Sequence, residues 1–91
     1  MQPKLKESTV QKQLSNYMEK KGYLVVKIIQ CTMNGWPDLQ CHKEGHTVFI
    51  ETKAEGGRLS ELQKYRHDQL KSQGFEVHTI FNINQLKAIY G

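Results

Sequence analysis

Cysteine is scarce in this sequence, and so is proline. Two cysteines in 91 residues, Cys31 and Cys41, make no disulfide framework and read as reduced thiols. The N-terminal stretch MQPKLKESTVQKQL has no apolar signal-like core, and no apolar run approaches the length of a membrane span. These absences argue against a disulfide-stapled secreted domain and an integral membrane protein; a cytoplasmic chain is the expectation. Repeats, low-complexity tracts and linkers are also missing. Residues 1–91 therefore read as one domain, near the lower size limit for folding without staples or metals. Acidic side chains number 9 against 13 basic ones, for a net charge of +4 and a pI near 9.1. That balance favours a polyanionic partner without requiring one.

What the chain does have is a set of short periodic segments. Val10, Leu14, Tyr17 and Met18 recur at helical spacing between Lys6 and Lys21, and Gly22 ends that helix. Tyr23 to Ile29 is apolar and β-branched, which predicts a strand, and Asn34-Gly35 with Pro37 marks a loop. Asp38 to Lys43 and Thr47 to Lys53, separated by Glu44-Gly45, predict a β-hairpin. After the Gly-rich loop from Ala54 to Arg58, Ser60 and Gln63 have the spacing of a capping box opening a second helix, which Gly74 closes. Phe75 to Phe81 predicts another strand. Asn82 then caps a final helix carrying Ile83, Leu86, Ile89 and Tyr90, which either covers the sheet or offers an apolar dimer surface. The order αβββαβα implies an α/β fold, a mixed sheet flanked by helices.

Within this frame the run Val48-Phe49-Ile50-Glu51-Thr52-Lys53 puts charges at the end of an apolar strand. Such charges are costly unless they have a partner or a task. Alternate strand residues share a face, so Glu51 and Lys53 point the same way, and a hairpin brings Asp38 beside Glu51. Two carboxylates and the Thr52 carbonyl oxygen suit Mg²⁺ or Mn²⁺, cations that take oxygen ligands. An adjacent Lys53 can orient a water and offset charge building on a phosphate. The plainer alternative is a same-face ion pair worth little at a surface.

Pro37-Asp38, a spacer, and Glu51-Thr52-Lys53 together resemble the PD-(D/E)xK nuclease motif. The wider set adds Gly35, Leu39 and Ile50, then Leu59-Ser60, Gln63 and Gly74. It resembles the virus-type replication-repair nuclease (VRR-NUC) family from Glu7 to about Ile80. A bare motif match recurs by chance, whereas the ordered set with matching elements is far more specific. The resemblance implies a restriction-endonuclease-like fold, similar to archaeal Holliday-junction resolvases. It also implies a divalent-metal-dependent endonuclease acting on DNA. Asp38, Glu51 and the Thr52 carbonyl would be metal ligands, Lys53 the catalytic lysine and Glu7 the family's first-helix acid. Gln63 would support the site from the second helix. Stand-alone members of the family are common in phages and their hosts.

Other readings stand beside these. Acids are welcome in a helix's first turn, yet Glu7 continues the inward stripe through Gln11 and Leu14. Capping alone accounts for Gln63. Trp36 either packs over its loop or presses on distorted DNA. Arg58, Lys64, Arg66 and Lys71 form either a phosphate-contacting surface, with salt-sensitive binding, or a solvated helical face. Cys31, Cys41, His42 and His46 cluster in sequence without zinc spacing; the cysteines read as small apolar residues and the histidines as mostly solvated. A chain this small has little surface for reading base sequence, so DNA shape would set specificity: branches, flaps or four-way junctions. A homodimer would suit paired cuts. Neither a membrane nor a small-molecule cofactor is expected. The competing classes are a non-catalytic DNA-binding module of the same fold and a small zinc-binding protein.

Overall fold

A computed structural model describes residues 4–91. Helix α1 (Glu7–Lys20) turns Val10, Leu14 and Met18 inward, the three positions its helical spacing aligns on one face. Strands β1 (Leu24–Lys27), β2 (Leu39–Lys43) and β3 (His46–Thr52) follow, then α2 (Glu61–Ser72), β4 (Glu76–Ile80) and α3 (Ile83–Tyr90). The predicted order αβββαβα is the observed one. Neighbours in the sheet run β1-β2-β3-β4. The first three strands pair antiparallel, while β3 and β4 pair parallel through the α2 crossover.

This topology leaves β3 central and covered on both sides, so its residues from Val48 to Thr52 are all buried. A strand buried on both faces reads as a continuous apolar run instead of an alternating one. On one face, Val10, Leu14, Met18 and Leu86 of α1 and α3 meet Leu39, Cys41, Val48, Ile50 and Ile80. On the other, Leu70 of α2 packs with Phe49 and Val77. Trp36 closes that second cluster edge-on against Phe49, with ring centres 5.6 Å apart. Trp36 thus packs on this cluster while staying half-buried.

Two expectations, for β1 and for Cys31, are corrected, and the last helix takes one of the two places left open for it. Strand β1 is shorter than the predicted segment from Tyr23 to Ile29. The Ile28 N–H still donates to the Asp38 carbonyl at 2.7 Å, but pairing with β2 ends at Leu39, and Ile29 is 86% exposed. Helix α3 buries Leu86 and packs Ile83 and Tyr90 on the core, so its apolar face covers the sheet and only Ile89 faces outward. Cys41 is the small buried residue expected, whereas Cys31 is exposed in the loop after β1, its thiol donating to the Met33 carbonyl. Among the described residues, no helix is long and apolar enough to cross a membrane.

Candidate active site

The hairpin register pairs Leu39 with Ile50, and one step further along it Asp38 stands beside Glu51. Asp38 accepts the Thr52 backbone N–H on Oδ2 at 2.8 Å, a bond that ties the start of β2 to the end of β3. Glu51, only 2% exposed, points to the α2 side of the sheet, away from Ile50 and Thr52. There its Oε1 lies 3.3 Å from Nε2 of His67, an α2 residue that is itself 4% exposed. Lys53 follows Glu51 on the same face, its stem running past Gly57.

Electrostatics make this corner the most perturbed part of the sheet. The Glu51 carboxyl is pushed up to about 8, first by burial and then by the hydrogen bond and charge of Asp38. Glu7 adds in the same direction and Lys53 opposes. His67 is lowered, chiefly by burial and then by Lys71, with Lys53 adding and Asp68 and Asp38 opposing. A carboxyl raised in this way keeps its proton near neutral pH unless a cation replaces it. Each acid already has one oxygen against a nitrogen of the protein, the Thr52 amide or the His67 ring. The set fits Mg²⁺ or Mn²⁺, which need only one or two carboxylates and retain several waters. Asp38, Glu51 and the Thr52 carbonyl are the groups that would hold it.

Zinc is a different case. Among the described residues, no group of three or more His, Cys, Asp and Glu side chains converges as a metal site. His42 is engaged with the Thr47 hydroxyl at 2.9 Å, and desolvation pushes the Cys41 thiol up to about 12. The zinc alternative therefore finds no ligand set here. Glu7, exposed in the first turn of α1, reaches Glu51 through its charge without completing a three-acid cluster.

Gln63 forms the capping box: its Oε1 accepts the Ser60 N–H at 2.9 Å, and the Ser60 hydroxyl accepts the Gln63 N–H at 3.1 Å. Of the expected phosphate contacts, Arg58 and Lys71 are exposed, and Lys64 pairs loosely with Glu61 at 3.2 Å. Arg66 instead straps α2 to the loop before Asp38, its Nε donating to the Asn34 carbonyl at 2.9 Å. Beside Asp38, that loop walls a cavity of about 310 Å³ lined by Ile28, Ile29, Met33 and Trp36.

Sequence reasoning missed His67, since the histidines were expected to be mostly solvated. A signal was present. Gln63, His67 and Leu70 recur at i, i+4 and i+7, and Leu70 marks that stripe as the face docking on the sheet.

No protein-family model matches the chain, and no curated protein matches it significantly. Among solved structures, one described as a VRR_NUC domain superimposes with a TM-score of 0.82 at 27% identity. The match covers 92% of each chain.

Proposed function

Taking as premise that this chain is a VRR-NUC domain, we infer that it is a divalent-metal-dependent DNA endonuclease. The observation that supports this reading is the pairing of half-buried Asp38 with buried Glu51 at the ends of two hydrogen-bonded strands, with Lys53 on the same face. A divalent cation held there supplies Lewis acidity toward a phosphate oxygen and makes a water more acidic. Asp38 and Glu51 fix its position, because strand pairing and the Thr52 N–H leave Asp38 little freedom. Lys53 brings a positive charge to the phosphate oxygens as negative charge builds on them, and it orients the water on its attacking side. Exposed Arg58, and Lys71, whose charge reaches His67, supply sequence-independent attraction to the DNA backbone.

The preferred substrate is branched DNA, flaps or four-way junctions, cut by a homodimer that sets two sites symmetrically. Cleavage of linear, flap and four-way DNA with Mg²⁺, Mn²⁺ or EDTA tests the reading. Wild type is expected to cut with either metal and to stop with EDTA. Asp38→Ala and Lys53→Ala should each lose on the order of a hundredfold or more in rate. Activity that survives both substitutions would reject the assignment, and a folded wild type that binds DNA without cutting it would favour the binding-module class.

A further inference from the structure

We propose that His67 is a positioning residue, holding the Glu51 carboxylate in the orientation that a divalent cation requires; this rests on the metallonuclease reading above. The position invites an apolar side chain, since Leu70, one turn on, packs with Phe49 and Val77. An imidazole that is 4% exposed there needs a polar partner, and Glu51 is the one within reach at 3.3 Å. Once a cation takes the place of its proton, the Glu51 carboxylate can only accept, and the tautomer that serves it carries the hydrogen on Nε2 and donates it to Oε1.

The helix supporting the imidazole is held at three points. The Ser60–Gln63 box fixes its start. Arg66 bonds the Asn34 carbonyl, and Gly35 lies so close to Leu62 that a Cβ would come within 3.0 Å of that residue's side chain and backbone. The two acids are thus clamped alike, Asp38 by a strand amide and Glu51 by a helix imidazole. Each clamp engages one oxygen of its acid, Oδ2 of Asp38 and Oε1 of Glu51, and so fixes the plane of the carboxylate that would hold the cation. Outer groups that orient a ligand in this way typically change metal affinity by about 10–100-fold when removed.

Titration calorimetry of Mn²⁺ into the metal-free full chain, without DNA, tests the proposal. His67→Leu and His67→Met fill the space without a donor, His67→Gln restores an N–H, and Glu51→Gln serves as the control. The two apolar variants should fold, with melting temperatures equal to or above wild type, and bind Mn²⁺ about tenfold or more weakly. His67→Gln should recover part of that loss. Wild-type affinity in either folded apolar variant would overturn the positioning role while leaving the metal site intact. Wild-type protein showing no Mn²⁺ binding sensitive to Glu51→Gln would overturn the metal reading and this proposal with it.

Discussion

Gly35 stands at φ +84, where side chains are strained, and an added Cβ would meet the Leu62 carbonyl and side chain at 3.0 Å. A backbone carbonyl cannot swing aside as a lysine tip can. Gly35→Ala is therefore expected to destabilise the fold by about 1–3 kcal/mol, read as a lowered urea midpoint. Because the same loop leads into Asp38, cleavage should fall as well. An unchanged midpoint would show that the contact with α2 is slack. At this scale the sequence was informative about Asp38, Glu51 and Lys53, because strand alternation and hairpin pairing dictate which side chains share a face. His67 escaped because its place depends on which face of α2 docks. Exposed Leu62 and Tyr65 blur that helix's apolar stripe.

Helix α2 carries the imidazole, and its start depends on two reciprocal hydrogen bonds between Ser60 and Gln63. Ser60→Ala should cost about 1 kcal/mol in chemical denaturation. Gln63→Glu keeps an acceptor at the same reach, so its stability should stay within about 0.5 kcal/mol of wild type. Cleavage near the wild-type rate in that variant would assign Gln63 to capping, and a large loss in a stable variant would assign it to chemistry. Elements whose ends are marked by local chemistry were legible: Ser60 and Asn82 cap the helices they were expected to cap. The end of β1 was not. Nothing within Tyr23 to Ile29 signals that its partner strand begins only at Leu39.

Across the whole molecule, the last strand and last helix are joined far from the acids. Glu76 of β4 accepts from the Tyr90 hydroxyl of α3 and bonds His78 on its own strand. Tyr90 chiefly, then His78, hold its carboxyl below the usual 4.5, while burial opposes them. Tyr23 faces the same group and is raised, mainly by its own burial and then by the Glu76 charge. A carboxyl lowered on folding contributes stability that is present above its unfolded value near 4.5 and is lost as pH falls through the folded value. Glu76→Gln should accordingly narrow the difference between urea midpoints at about pH 7 and about pH 3. Equal acid sensitivity in both proteins would place the loss elsewhere. The mixed-sheet architecture was legible at this scale because strand–helix–strand order after β3 permits a parallel crossover.

The pairing of Leu39 with Ile50 also guards the fold against its nearest mistake. A slip of one residue in β3 would turn every side chain to the opposite face. Ile50 would then meet His67, and Glu51 would leave its imidazole partner for the apolar layer of Leu14 and Met18, a costly place for a carboxylate. The carboxylate proposed to hold a cation would thus be the group that most penalises a mispaired hairpin. A substitution such as Glu51→Leu would remove that penalty along with the metal ligand, freeing the sheet to sample the wrong alignment.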